Sequence, residues 1–141
     1  MDWTSYLIVA LVGVAVGSVL THLFSAWRDR KAAKRKASEN FRAAVSEVLK
    51  DVYPFPVRWP DDIDRFLRGA FPALQAAVAQ FEPFVPRRRR EAFKKAWYNY
   101  RSGSGQEKEM QAYHHYMAFE DNPNYKEKFR QNVEVLLSFA K

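Results

Sequence analysis

Four consecutive arginines, Arg87, Arg88, Arg89 and Arg90, are followed within two helical turns by Lys94 and Lys95. Guanidinium groups grip phosphate and carboxylate oxygens in pairs, so this concentration points to an anion. Tyr98 and Arg101 extend the set with a ring and a further guanidinium, and Tyr100, Tyr113, His114, His115 and Tyr116 follow. Rings and donors of this kind stack on the bases and bind the phosphates of single-stranded nucleic acid or a nucleotide. Six cations at a helix start also oppose the helix dipole, which favours a negative partner there. The alternative is a solvated charge run, with the aromatic residues in a core.

Catalytic chemistry finds no comparable set. Asp61, Asp62 and Asp64 could hold a cation, but Asp in this position is a helix cap. His114 and His115 are adjacent, so on a helix they diverge by about 100° and cannot chelate as an i, i+4 pair would. There is no cysteine, no HExxH, no GxSxG and no phosphate loop. The sequence predicts no enzyme, no metal site and no cofactor.

The elements that position these residues begin with residues 6–26, YLIVALVGVAVGSVLTHLFSA, which contain no Asp, Glu, Lys or Arg. At about 1.5 Å per residue this run reaches roughly 30 Å, the thickness of a bilayer core. It reads as a transmembrane helix within residues 1–27. Gly13 and Gly17 form a GxxxG edge for association of spans into a homo-oligomer. Ser18, Thr21, His22 and Ser25 share about a third of the helix circumference and are candidates to line a pore. The basic stretch RDRKAAKRK inside the juxtamembrane segment, residues 28–40, orients the span by the positive-inside rule and attracts anionic lipid. It carries most of the net charge of +7. This places a short N-terminus outside a bacterial inner membrane and the C-terminal part in the cytoplasm. A cleaved signal peptide would want a basic start, and the chain begins Met1, Asp2, Trp3.

Residues 41–141 read as a small cytosolic helical domain, so the fold class is all-α: one N-terminal transmembrane helix followed by a small helical bundle. Phe41, Ala44, Val45, Val48, Leu49 and Val52 continue at helical spacing from the span, with or without a break near residues 38–40. Residues 53–60, YPFPVRWP, deny helix through their prolines. Asp61, Asp62 and Asp64 open a helix that Gly69 and Pro72 interrupt, and a second runs from Pro72 to about Phe81. A helix starting at Pro86 carries the stripe Phe93, Ala96, Trp97 and Tyr100. A loop over residues 101–106, a short helix over 107–119 and a last helix bearing Phe129, Val133, Leu136, Leu137 and Ala140 complete the expectation.

The segments FEPFVP, RRRREAFKKAWYNY and LLSFAK, with one N-terminal span, resemble a type of small uncharacterised bacterial membrane protein. In that type a Phe-x-Pro-Phe turn, an Ala-Trp-x-x-Tyr helix and a C-terminal Leu-Leu-x-Phe-Ala recur, here at residues 81–84, 96–100 and 136–140. The plan is also similar to membrane effectors of bacterial anti-phage defence of the Hailong type. That likeness implies a homo-oligomer, a tetramer, whose spans form a channel held shut by a nucleic-acid ligand from a partner nucleotidyltransferase encoded nearby. It is architectural and assigns no residue a role. The functional expectation is an oligomeric single-pass effector, ion-channel forming, whose cytosolic bundle senses the anion. A membrane-tethered adaptor for a partner protein is the alternative, and a scaffold on the lipid surface is a third.

Overall fold

The computed structural model describes residues 3–102 and 111–141, with side chains from residue 16 onward. It is all-helical: α1 spans Trp3–Val48, α2 Ile63–Phe81, α3 Arg90–Ser102 and α4 Tyr125–Leu137, with single 3₁₀ turns at Glu82–Phe84, Arg87–Arg89 and His114–Tyr116. The chain divides into two compact units, Met1–Lys36 and Ala37–Lys141.

The described part of the first unit is the N-terminal stretch of α1, and α1 runs without the break near residues 38–40 that the sequence allows. Among the described residues no helix is long and apolar enough to cross a membrane. Residues 6–15 of the proposed span, Gly13 included, have side chains outside that described set. From residue 16 on, Val16, Val19, Leu20, Leu23, Phe24 and Trp27 are 48 to 63 % exposed.

In the second unit the start of the core is the last part of α1. Phe41 and Val45 are buried on its inward edge, and Leu49 and Val52 continue the buried row in the turn beyond its end. Phe41 stacks on Phe81 of α2 with ring centroids 4.6 Å apart and meets Phe93 of α3 edge-on at 6.0 Å. The stripe Phe93, Ala96, Trp97 and Tyr100 is buried as its spacing predicts. So are Phe129, Val133, Leu136, Leu137 and Ala140. Arg42 donates to the Ala140 carbonyl at 3.3 Å, tying the chain's last residues to α1.

Two expectations are corrected. Gly69 and Pro72 do not divide α2, which runs through both. Pro72 forfeits one backbone hydrogen bond, a cost of about 3 kcal/mol in a helix interior. Leu67, Leu74, Ala77, Val78 and Phe81 lie buried along the same helix, and full burial of a large apolar side chain contributes about 1.5–3 kcal/mol. Packing therefore outweighs the break. The start of α2 agrees with expectation, because the Asp62 carboxylate accepts from the Arg65 backbone N–H at 2.9 Å.

The second correction concerns residues 107–119. Those up to 110, and residues 103–106 of the expected loop, lie outside the described residues; beyond them regular structure is confined to the 3₁₀ turn His114–Tyr116. Hydrogen bonds from one buried side chain fix that region. Asn122 donates to the carbonyls of His115 at 2.9 Å and Met117 at 3.1 Å, and accepts from Lys128 at 2.5 Å. Replacing Asn122 by Ala leaves these groups to find water or go unpaired, so the urea midpoint should fall by an amount equivalent to about 1–3 kcal/mol. Ser46→Ala on the exposed side of α1 should leave it unchanged.

Candidate anion-binding site

The basic cluster begins where α2 ends. Pro83 and Pro86 stop the helix, and two 3₁₀ turns, Glu82–Phe84 and Arg87–Arg89, carry the chain round to α3. The four arginines therefore do not share the first turns of one helix, as the sequence reading had them. Arg87, Arg88 and Arg89 stand on the 3₁₀ turn and are exposed, whereas Arg90 opens α3 and is half-buried.

Each then meets different surroundings. The Arg90 guanidinium reaches back to donate to the Val85 carbonyl at 3.1 Å and the Pro83 carbonyl at 3.0 Å. It staples the preceding turn and satisfies carbonyls that no helix serves. Arg89 lies over the Phe139 ring at 4.6 Å, a cation–π contact at the edge of the core. Lys94 sits between Glu91 at 3.4 Å and Glu82 at 3.8 Å. Arg87, Arg88 and Lys95 are exposed and have no ion-pair or hydrogen-bond partner among the described residues. The dipole conflict is thus relieved in part by Arg90's carbonyls and by Glu91, which stands in the first turn of α3. What remains to attract an anion is Arg87, Arg88 and Lys95.

Tyr98 and Arg101 lie further along α3. Both are half-buried; the Arg101 guanidinium is 5.6 Å from the Tyr98 ring and 5.9 Å from that of Trp97. The Tyr98 hydroxyl is buried without a hydrogen-bond partner among the described residues. The rings that the sequence offered as base platforms are mostly core. Tyr100, Tyr113 and Tyr116 are fully buried; Phe129 lies 6.0 Å from the ring centroid of Tyr100 and 5.1 Å from that of Tyr116, and Tyr113 packs on those two tyrosines. None of the three can stack on a base from this position. Burial raises all three phenols, Tyr113 to about 12 against the pull of Arg68 and Arg101.

His115 is the other surprise. Both ring nitrogens are buried and make no well-aligned hydrogen bond among the described residues, and the ring lies 3.7 Å from that of Tyr116. Burial pushes the imidazole down to about 4, although the nearby carbonyls of Ala112 and Tyr100 lift it. Among the described residues no group of three His, Cys, Asp or Glu side chains gathers as a metal site. Asp62 and Asp64 are engaged elsewhere, Asp62 as the α2 cap and Asp64 with Arg68 at 2.7 Å.

In the first unit, Ser18, Thr21 and His22 are exposed and Ser25 is half-buried. Thr21 donates its hydroxyl to the Gly17 carbonyl at 2.8 Å, so it is satisfied by its own helix. A side chain added at Gly17 would meet nothing within 4 Å. The loop over residues 53–60 is an exposed apolar surface that sequence reasoning did not single out. Phe55 is 79 % and Val57 93 % exposed, while Trp59 is held edge-on by Tyr125 at 5.6 Å and Phe129 at 5.5 Å. The signal was present in YPFPVRWP, where apolar residues alternate with prolines that cannot all turn inward.

Comparison with protein-family models, curated proteins and solved structures finds no match.

The buried imidazole fixes a pH dependence. An unfolded chain protonates His115 near 6.5 while the folded one resists until about 4, so the unfolded state binds the extra proton and stability falls as pH drops through that window. His115→Leu should flatten the decline of melting temperature between pH 6.5 and 4 relative to the parent, measured by circular dichroism.

Proposed function

We propose that the chain is an oligomeric single-pass membrane effector whose helical bundle senses an anionic ligand, nucleic acid or a nucleotide. The observation that carries the anchor is the row Val16, Val19, Leu20, Leu23, Phe24 and Trp27, large apolar side chains left exposed on α1 in continuation of a run without charge. Exposed apolar surface of this extent calls for an apolar cover, and a helix whose hydroxyl bonds to its own backbone suits hydrocarbon. The basic stretch that follows keeps the bundle in the cytoplasm of a bacterial cell with a short N-terminus outside. Gly13 and Gly17 bring spans together, and Ser18, Thr21, His22 and Ser25 line the path between them.

Sensing falls to Arg87, Arg88 and Lys95, the cations of this cluster that have no partner among the described residues, with Arg89, Arg90 and Lys94 adding field. Tyr98 and Arg101 present a further ring edge and guanidinium along the same helix. The likeness to Hailong-type effectors supplies the setting: a tetramer in anti-phage defence, gated by a ligand made by a partner enzyme encoded nearby. A second reading, a membrane-tethered adaptor, is favoured by one observation, the exposed Phe55 and Val57, and needs no pore.

Two measurements test the proposal. Membranes from expressing cells, extracted with alkaline carbonate, should retain the protein; release into the supernatant removes the anchor. The detergent-solubilised protein should bind a labelled single-stranded oligonucleotide. In the triple variant R87E/R88E/K95E the log–log salt slope should fall by about 2, the share of three phosphate contacts on a single strand. An unchanged slope places sensing elsewhere or nowhere.

A further inference from the structure

Buried side-chain polar atoms that make no hydrogen bond among the described residues are not spread evenly over the bundle. Ser38 apart, they fall between residues 98 and 115, and the Tyr98, Tyr100 and Tyr113 hydroxyls and the Gln111 amide oxygen are among them. Each has given up water on folding without gaining a partner, a state that native chains keep for few groups. Such a concentration points to a polar partner that the described residues do not supply.

The helices bring two guanidiniums to the same place. Phe81 meets Phe93 at 5.7 Å and Phe71 stacks on Trp97 at 5.9 Å, so α2 and α3 run antiparallel. One turn beyond the second contact, Arg68 on α2 comes level with Arg101 on α3. The chain returns between them: Arg68 donates to the Gln111 carbonyl at 3.2 Å, and the Ala112 N–H donates to the Arg101 carbonyl at 2.7 Å. Tyr113, the next residue, has a fully buried ring set edge-on to that of Tyr100 at 6.2 Å. Among the described residues its phenol feels both guanidiniums and one carboxylate, Asp64, which lies 2.7 Å from Arg68. The Arg68 side chain is 50 % exposed, so the group reaches from solvent to the buried hydroxyl.

From this juxtaposition we propose that Arg68, Arg101, Gln111 and Tyr113 bind one oxyanion, the phosphate or carboxylate group of a small molecule. Donors are what all four can present. A guanidinium has no acceptor, and the Gln111 amide offers two N–H groups once it is turned over. Burial pushes the Tyr113 phenol up to about 12, so at neutral pH it keeps its proton and donates. Arg101 stands about 16 Å along α3 from Arg90, which makes this a site apart from the basic turn. It does not rest on the membrane reading.

Thermal unfolding tests it. Full-length protein in mild detergent is melted by circular dichroism while sodium phosphate or sodium acetate replaces sodium chloride at constant ionic strength. At least one of the two anions should raise the midpoint and saturate, and which one does so separates a phosphate site from a carboxylate site. Phosphate also stabilises by exclusion from the protein surface, but that effect does not saturate and is shared by every variant. Tyr113→Phe removes only the hydroxyl. Without either anion its midpoint should equal or exceed the parent's, because an unpartnered buried group is gone. With the anion, its apparent dissociation constant should be about tenfold to a hundredfold higher, as for loss of a hydrogen bond to a charged group. Arg68→Lys, at a half-exposed position, should weaken the anion likewise, and R87E/R88E/K95E should leave its effect intact. A midpoint that neither anion moves, an equal rise in the parent and Tyr113→Phe, or a rise abolished by R87E/R88E/K95E would overturn the proposal. So would a Tyr113→Phe chain less stable without the anion, since its hydroxyl would then already have a partner. The oligonucleotide assay reports on the basic turn separately.

Discussion

Burial of the row formed by Phe41 and Val45 on α1 and by Leu49 and Val52 just beyond its end is the constraint on which the helical bundle depends. An isolated helix cannot hide such an edge, and its exposure would cost more than the helix gains from its own hydrogen bonds. Phe81 closes it from α2, Phe93 from α3, and Phe139 meets Phe93 at 5.3 Å from the chain's last residues. The Arg42 bond to the Ala140 carbonyl then fixes the end of the chain against the same helix. A second aromatic group, Trp97, Tyr100, Tyr113, Tyr116 and Phe129, does the same for α3 and α4. Neither group is aliphatic at its centre, so ring orientation as well as apolar area holds these helices in register.

What was legible in the sequence was periodic. The edges of α1, α3 and α4 follow from a spacing of three and four residues, and Asp62 announces the start of α2 by its chemistry alone. Pro72 misled because a local rule was applied to a helix whose long-range packing outweighs it. Residues 111–119 were illegible for a different reason. Their position is dictated by Asn122 and by Tyr116, whose hydroxyl donates to the Tyr100 carbonyl at 2.7 Å and accepts from Asn132 at 2.9 Å. Such partners stand five to sixteen residues away at no regular helical or strand spacing and leave no period.

The candidate site divides the same way. That cations concentrate at residues 87–95 is visible in the letters. Which of them are free is not, because Arg90's partners are backbone carbonyls, set by the turn rather than by any residue type. The tyrosines show the converse. Ring and hydroxyl suggested nucleic-acid contacts, but the same features suit a core where the hydroxyl can find a carbonyl, as Tyr116 does. Only burial distinguishes the two uses.

Four identical neighbours, Arg87, Arg88, Arg89 and Arg90, therefore carry unequal chemical requirements. At 87 and 88 a point charge suffices, so a lysine preserves what the position offers. At 89 the flat guanidinium lies over a ring, and an ammonium there keeps the charge but loses the planar contact. At 90 two carbonyls are held by one fork, which lysine cannot reproduce. A tract that looks like redundancy in the primary structure would thus tolerate exchange at its beginning and resist it at its end, a gradient that follows from geometry alone.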